Sequence, residues 1–229
     1  MIPGRLAYPA QVAMRRALRR RCRERRAVVL TYDDGPGHVL TPCLLDVLAE
    51  RGGRATFFAL GRRAAQMPEL LDRIVAEGHE VACHTYDHSN AWRVPGRSAA
   101  RDVHAGYEAL APWMAPDGPF RPPFGKVAPA TLAAARERGV PVCLWTQDSG
   151  DTHRVQPAAA TVIDAVVADG GGVILMHDFD RDPPEPDRVE RILELTAGLV
   201  DAAHRHGLTV CTAGDLLGSG MRRPAPALV

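Results

Sequence analysis

Short apolar runs alternate with helical patterns along most of this 229-residue chain. The apolar runs occupy residues 28–32, 56–60, 80–83, 140–144, 173–176 and 208–211. The helical patterns cover residues 41–51, 67–77, 97–111, 127–138, 157–169 and 187–206. Strands that alternate with helices and are apolar almost throughout indicate an α/β fold, with a parallel sheet covered on both faces.

The number of these strand–helix units constrains the architecture further. Roughly seven units, including a short one near Phe120, favour a closed or nearly closed barrel over an open sheet. A complete eight-unit barrel usually takes ~250 residues, so we expect a smaller or distorted barrel. Because 46% of the residues are apolar, the chain can bury a substantial core as one domain.

Charge and cysteine content give no support to several classes of protein. The formal net charge is +1, so overall charge gives no argument for nucleic-acid binding. The five cysteines include no C-x-x-C pair, and their apolar surroundings indicate free thiols in a reducing compartment.

No run reaches the ~20 apolar residues that cross a bilayer. Arginines interrupt the N-terminal segment where a secretory signal needs an apolar core, so we expect a cytoplasmic protein.

Residues 11–26 are predicted to form a basic helix, with eight arginines between residues 15 and 26. Its apolar side chains, such as Val12 and Leu18, are few, so we favour a solvated helix packed against the end of the domain. The alternative is contact with an anionic membrane or lipid carrier. This reading divides the chain into a helical extension at 1–26, a main domain at 27–217 and a flexible tail at 218–229.

Polar residues lie where the predicted strands end. His84 and His177 each directly follow a strand, as do the adjacent Asp33 and Asp34, and Asp151 lies shortly beyond another. The carboxyl ends of parallel strands meet at one face of a barrel, where active sites gather. We therefore expect these side chains to share one site.

A metal site is the first interpretation of this group. His84 and His88 are four residues apart, a spacing that places both rings on one face of a helix. With Asp34 they supply three ligands, and hydrolytic zinc sites commonly take three protein ligands and leave a place for water. A pair of surface histidines has the same spacing by chance. The adjacent Asp33 strengthens the prediction, because one carboxylate can bind an ion while the other accepts a proton from activated water.

Two further side chains complete a hydrolytic site. Arg121 precedes two prolines, and a buried guanidinium there would hold the base carboxylate by two parallel hydrogen bonds. His177 would protonate a departing amine, and contact with Asp151 would raise its pKa toward that role. Taken singly, a surface arginine and a core histidine are the alternative interpretations.

These motifs closely resemble those of the NodB-homology polysaccharide deacetylases, the carbohydrate esterase 4 family. The resemblance extends from about residue 28 to residue 217. It includes Thr-Tyr-Asp-Asp-Gly-Pro at 31–36, His-Thr-Tyr-Asp-His at 84–88, Arg-Pro-Pro-Phe-Gly at 121–125 and Leu-Met-His-Asp at 175–178. The resemblance implies a distorted (β/α)7 barrel and metal-dependent deacetylation of a carbohydrate.

The resemblance also implies a role for each motif residue. The implied catalytic residues are Asp33 as base, Arg121 as its orienting partner, His177 as general acid and Asp151 as the partner that tunes it. The implied metal ligands are Asp34, His84 and His88. The substrate pocket is assigned to Phe124, Pro123, Leu175, Thr152 and Trp145, with the backbone N–H of Phe124 at the oxyanion and Leu175 at the acetyl group. The cofactor implied is one divalent ion, Zn2+ by default, with Co2+, Ni2+ and Mn2+ as alternatives.

The fourth motif departs from the family pattern. The family usually has a tryptophan after the aspartate, and this ring forms a wall of the groove, but here Thr152 follows Asp151. A small hydroxyl residue enlarges and polarises that wall, so we expect a substrate of different shape from a chitin-like chain. Phe124, where the family often has tyrosine, removes one hydroxyl.

The function expected is N-deacetylation of an N-acetylamino sugar such as N-acetylglucosamine, with release of acetate. The expected cytoplasmic location favours a soluble glycoside over a cell-wall polysaccharide. One alternative is a deformylase-like enzyme acting on a lipid-carried or nucleotide sugar. Another is a non-catalytic carbohydrate-binding relative.

Overall fold

A computed structural model describes residues 4–219, with side chains from residue 9 onward. Within this range the helices are α1 Gly4–Arg25, α2 Leu40–Arg51, α3 Gly61–Ala64, α4 Pro68–Ala76, α5 Gly96–Leu110, α6 Pro129–Glu137, α7 Ala159–Ala168, α8 Pro186–Arg205 and α9 Ala213–Leu217. The strands are β1 Ala27–Asp33, β2 Ala55–Ala59, β3 Glu80–Cys83, β4 Gln147–Asp148, β5 Gly172–His177 and β6 Thr209–Val210. The predicted tail at 218–229 falls outside the described residues from 220 onward.

The strands form one parallel sheet that curves into a distorted barrel. Its order is β3-β2-β1-β5-β4, and β6 pairs with the lower end of β1. Isolated bridges from Cys83 to Phe120 and from Phe120 to Val142 extend the β3 edge. The predicted α/β barrel architecture is therefore confirmed.

The strand predicted at 140–144 is wrong as a continuous strand. The backbone N–H of Phe120 donates to the Pro141 carbonyl (2.9 Å), and that of Cys143 donates to the Phe120 carbonyl (2.8 Å). Pro141 has no N–H of its own, so it cannot extend this ladder. The chain instead forms the two-residue strand β4 a few positions later, beside β5.

Alternation along the buried strands separates two parts of the core. On β1, Val28, Leu30 and Tyr32 pack in the large cluster beneath the helices. Val29, between them, belongs to a second cluster inside the barrel, with Phe58, Ala82, Cys143 and Val173. Because side chains alternate with period two, Thr31 and Asp33 lie on the same inner face as Val29. The inner face of β1 is therefore apolar at Val29 and polar toward its carboxyl end, at Thr31 and Asp33.

Helix α1 closes the barrel interior. It begins at Gly4, several residues before the predicted start, and its Leu18 and Cys22 are buried in the inner cluster. Several of its arginines bind the barrel: Arg19 donates to the Thr146 carbonyl (3.2 Å), and Arg23 pairs with Asp169 (2.9 Å). These contacts attach α1 to the barrel, and the division of the chain at residue 26 stays a prediction. Within residues 4–219, no helix combines the length and the apolar content that a bilayer span requires.

The burial of Leu18 yields a stability prediction. Leu18→Ala should lower the free energy of unfolding by about 3 kcal/mol, because it leaves a cavity among interior side chains. Urea denaturation followed by circular dichroism measures the change. Arg16→Ala, at an exposed position of the same helix, is the matched control and should change it by less than about 0.5 kcal/mol. Equal stabilities for the two variants would contradict an interior role for α1.

Candidate active site

The strand register brings the predicted site residues to the carboxyl end of the barrel. On β1 and β5, Asp33 lies directly beside His177, and Thr31 lies beside Leu175. His84 immediately follows β3, and its backbone N–H donates to the carbonyl of Ala59 at the end of β2 (3.0 Å). Three strand ends thus hold the base, acid and metal-ligand candidates around one opening.

Asp34, His84 and His88 form a candidate metal site. Asp34 Oδ1 lies 3.3 Å from His84 Nε2 and 3.1 Å from His88 Nε2. One ligand atom from each of the three residues lies within 4.8 Å of the others. Asp34 Oδ1 is buried and accepts no hydrogen bond within the described residues, so these atoms converge as ligands of a shared ion do.

The tautomer of His84 fits this role. Its Nδ1 lies 2.8 Å from the carbonyl oxygen of Arg121, which can only accept a hydrogen bond. Nδ1 therefore carries a proton, so that the neutral ring presents the lone pair of Nε2 toward Asp34. Histidine ligands of zinc are commonly oriented by such a bond from the other ring nitrogen.

The segment that carries the two histidines is a loop, so the helical spacing expected for them is wrong. Thr85 and His88 both have positive φ angles, 71° and 63°. The buried carboxylate of Asp102, on α5, accepts from the backbone N–H groups of Tyr86, Asp87 and Ser89, at 3.1, 2.7 and 2.9 Å. These bonds shape the loop so that both rings reach Asp34.

Backbone conformation separates the two adjacent aspartates. Asp33 ends β1 in extended conformation, whereas Asp34 has φ of 72°. The left-handed residue turns its carboxylate toward the histidines, a conformation that aspartate adopts more readily than most residues. Burial opposes ionisation of Asp34, but the His84 and His88 rings outweigh that effect and hold its pKa well below the usual range.

Arg121 fixes Asp33 from inside the barrel. Its side chain is fully buried, and Nη1 donates to Asp33 Oδ1 at 2.7 Å. The predicted pair of parallel bonds to this carboxylate is wrong, because the other donors are used elsewhere. Nη1 also donates to Thr31 Oγ1 (2.7 Å), Nε to the Cys143 carbonyl (3.0 Å) and Nη2 to the Leu144 carbonyl (3.2 Å). Asp33 Oδ2 stays on the side of His84 Nε2, 3.7 Å away.

Asp151 and His177 form a second buried pair across the opening. His177 Nδ1 lies 2.9 Å from Asp151 Oδ1, and the backbone N–H of His177 donates to Oδ2 at 3.1 Å. Burial alone favours the neutral ring, but the Asp151 carboxylate outweighs it and raises the pKa of His177 to about 9. The imidazole is therefore protonated at neutral pH.

The predicted pocket residues have unequal exposure. Leu175 is buried on the inner face of β5, and Pro123 is buried in the same short turn as Phe124. Phe124 is 54% exposed, has φ of 57°, and its ring lies 4.4 Å from that of His88. Thr152 is half-buried in the loop after Asp151. Phe124 contacts a candidate metal ligand directly, and the assignment of all four to the substrate pocket stays a prediction.

Trp145 does not face the opening freely. The guanidinium of Arg15, on α1, lies 4.1 Å from its ring centroid. A side chain at Gly125 would meet its ring atoms at 2.6 Å, so the indole packs directly on the loop after Phe124. Gln11 of α1 donates to the Gly125 carbonyl (2.5 Å). Trp145 therefore couples α1 to this loop, and its assignment to the substrate pocket stays a prediction.

Sequence reasoning missed three residues that organise the site: Thr31, Asp102 and Arg188. Thr31 lies two positions before Asp33, so strand periodicity could have placed it on the same face. Asp102 and Arg188 lie on helices, separated in sequence from the residues they hold. No local pattern distinguishes them from surface charges.

Comparison with known proteins agrees with this geometry. The polysaccharide deacetylase family model matches residues 20–143. The peptidoglycan-N-acetylglucosamine deacetylase of Bacillus cereus is 29% identical over 192 residues, covering 83% of this chain and 87% of that protein. The chitooligosaccharide deacetylase of Sinorhizobium fredii is 38% identical over 157 residues, covering 66% and 72%. A crystal structure of a peptidoglycan N-acetylglucosamine deacetylase superposes with a TM-score of 0.77 at 27% identity, covering 88% of this chain and 92% of that one.

The fold is a distorted α/β barrel. The side chains grouped at the carboxyl ends of its strands form a candidate hydrolytic site. The chain belongs to the polysaccharide deacetylase family, because the family model covers more than half of it. The resemblance seen in its motifs and the predicted type of barrel are both confirmed.

Metal binding gives the first prediction for this site. Chelator-stripped protein should bind Zn2+ in isothermal titration calorimetry, and His88→Ala should weaken that affinity by at least ~100-fold through loss of a ligand. His38→Ala, an exposed histidine on the β1–α2 loop, is the control and should bind like the parent. Unchanged affinity in His88→Ala would contradict the assigned ligand set.

The Asp151–His177 pair gives a second prediction. In the parent, the His177 ring should titrate near pH 9. Asp151→Asn removes the carboxylate that raises the His177 pKa most, so burial is then opposed only by Asp33 and Asp34 and the pKa should fall well below 9. Proton–nitrogen NMR of the histidine side chains measures both values. Asp148→Asn, an exposed position in the same segment, should leave the His177 pKa unchanged; a pKa near 9 in Asp151→Asn would be inconsistent with the pairing.

Proposed function

We propose that this chain is a divalent-metal-dependent N-deacetylase that hydrolyses the acetamide of an N-acetylamino sugar. One observation carries the proposal: three candidate metal ligands adjoin a carboxylate fixed by Arg121, and this carboxylate lies beside an imidazole fixed by Asp151. Amide hydrolysis needs an activated water and a proton for the departing nitrogen. The two pairs are suited to supply one each.

The residues on the β1 side would activate water. A divalent ion held by Asp34, His84 and His88 would supply Lewis-acid chemistry, polarising the scissile carbonyl and acidifying the attacking water. Asp33 Oδ1 is bound by Arg121, whereas Oδ2 lies 3.7 Å from His84 Nε2. Oδ2 is therefore the oxygen that accepts a proton from water as the carbon–oxygen bond forms.

The residues on the β5 side would release the amine. His177 Nδ1 is bonded to Asp151, so Nε2 is the nitrogen that delivers a proton to the departing group. The backbone N–H of Phe124 would stabilise the negative charge that develops on the carbonyl oxygen. The carbon–nitrogen bond breaks, and the products are acetate and a free amino sugar.

The relatives support N-acetylglucosamine as the unit that reacts. The two relatives described above are named for peptidoglycan-N-acetylglucosamine and for chitooligosaccharide deacetylation. Thr152 is smaller than the tryptophan usual at this position in the family and would leave more space beside the site. We therefore propose an oligosaccharide or glycoside with more bulk there than a plain chitin chain. The cytoplasmic location and the preference for a soluble glycoside stay predictions.

Neither alternative function gains support. A lipid-carried substrate was suggested by the basic charge of α1, but Arg21 and Arg25 donate to the carbonyls of Leu217 and Asp215, in addition to the bonds made by Arg19 and Arg23. A non-catalytic carbohydrate-binding protein would have no need of two separately fixed acid–base groups.

Acetate release from tetra-N-acetylchitotetraose, N-acetylglucosamine glycosides and peptidoglycan fragments tests the proposal. Zinc-loaded parent protein should release acetate from at least one of them. Asp33→Asn and His177→Ala should each lower the rate by at least ~100-fold, because each removes an acid–base group. Both variants should retain the zinc affinity of the parent.

Two surface variants of α8, Asp201→Asn and His204→Ala, serve as controls and should keep the parent rate. If Asp33→Asn and His177→Ala both kept that rate as well, the assigned base and acid would be wrong. If zinc-loaded parent released no acetate from any of these substrates, a binding protein would replace the deacetylase as the better interpretation.

A further inference from the structure

A second buried arginine lies on the acid side of the site. Arg188 is in the first turn of α8 and is 3% exposed. Its Nη2 donates to Asp151 Oδ2 and to the His177 carbonyl, both at 3.2 Å, while Nη1 donates to the Phe179 carbonyl at 3.0 Å. One guanidinium thus holds the carboxylate and the backbone on both sides of residue 178.

The bonds to Asp151 leave this carboxylate no freedom to turn. Oδ1 accepts from His177 Nδ1 and from Ser149 Oγ, both at 2.9 Å. Oδ2 accepts from the His177 backbone N–H (3.1 Å) and from Arg188 (3.2 Å). A carboxylate oxygen has two acceptor positions, so all four are used. Of these four donors, only Arg188 brings a permanent positive charge.

The same arginine reaches His177 by a second route. Its guanidinium lies 4.7 Å from the ring centroid of Phe179, and this ring meets the His177 ring edge-on at 5.9 Å. The carboxylates of Asp151, Asp33 and Asp34 all raise the pKa of His177, and Arg188 is paired with the first of them. A permanent cation bonded to both Asp151 and the His177 carbonyl opposes these carboxylates, so its charge should limit how strongly the imidazole holds its proton.

We propose that Arg188 is a positioning residue for deacetylation: it fixes Asp151 against the 177–179 backbone and so sets the direction in which His177 points and the ease with which it gives up its proton. The claim about catalysis rests on the proposed function, whereas the claim about His177 does not. The arrangement parallels Arg121 and Asp33, so each of the two acid–base groups has its own buried arginine.

Two substitutions separate the charge of Arg188 from its geometry. Arg188→Met removes both, and Arg188→Lys keeps the charge but cannot bond to three acceptors in a planar fork. For each variant, the pH dependence of kcat is measured with tetra-N-acetylchitotetraose and zinc-loaded enzyme. The His177 ring is titrated by NMR in the same proteins, and circular dichroism verifies folding. Arg205→Met, exposed in the last turn of α8, is the control and should behave like the parent.

Arg188→Met should lower kcat by roughly 10- to 100-fold and raise the His177 pKa by about 0.5 unit or more, because a nearby cation is lost. The alkaline limb of the pH profile should move in the same direction. Arg188→Lys should lower kcat but keep the His177 pKa within about 0.3 unit of the parent. The upward shift in Arg188→Met distinguishes the proposal from a mere loosening of the Asp151–His177 hydrogen bond. Loosening that bond would lower the His177 pKa toward that of an unpaired histidine.

Unchanged kcat and unchanged His177 pKa in Arg188→Met would overturn the proposal. A reduced kcat with an unchanged or lowered pKa would also overturn it, since Arg188 would then act only through packing. If Arg188→Met did not fold, parent-like kcat in Arg188→Lys would be the contrary result. Should the parent itself show no deacetylase activity, the NMR titrations would still test the assignment independently of the proposed function.

Discussion

The buried guanidinium of Arg121 is the interaction on which the site depends most. It lies inside the barrel, 4.0 Å from the ring centroid of Phe58, and bonds to β1 through Thr31 and Asp33. Its other donors bind the carbonyls of Cys143 and Leu144, on a segment far along the chain. A charge removed from water is costly unless it is paired and fully hydrogen-bonded. These contacts offset that cost and hold two sides of the barrel together directly below the candidate catalytic groups.

The same physical rule organises the opposite side of the opening. Asp151 is as buried as Asp33 and is likewise bonded to a buried arginine. The two carboxylates differ in what else they face. Asp33 keeps one oxygen toward the candidate metal ligands, whereas every acceptor position of Asp151 is taken by His177, Ser149 and Arg188. One carboxylate is therefore available to take a proton, and the other can only stabilise a charged neighbour.

Local patterns predicted the helices well because each depends on residues close in the chain. The bounds of α2 and α4 to α8 lie within two residues of those expected. The strand expected at 140–144 failed because Pro141 interrupts its ladder, and α1 was underestimated because its charge concealed how deeply Leu18 and Cys22 are buried. Within the candidate site, the motifs predicted Asp33, Asp34, His84, His88 and His177, and the structure brings these residues together. The pair of parallel hydrogen bonds expected from Arg121 to Asp33 is not formed, because neighbouring carbonyls accept from its other donors.

The sequence alone determined the alternation of strands and helices, the family motifs and the chemical types gathered at the strand ends. These features depend on periodicity and on residues adjacent in the chain. Only the tertiary structure decided that Asp102 shapes the histidine loop, that Arg188 holds Asp151, and that Asp33 has one free oxygen. Each of these depends on which donors and acceptors meet across the fold. Hydrogen bonding is directional and every buried donor has several potential acceptors, so the choice among them is made by packing.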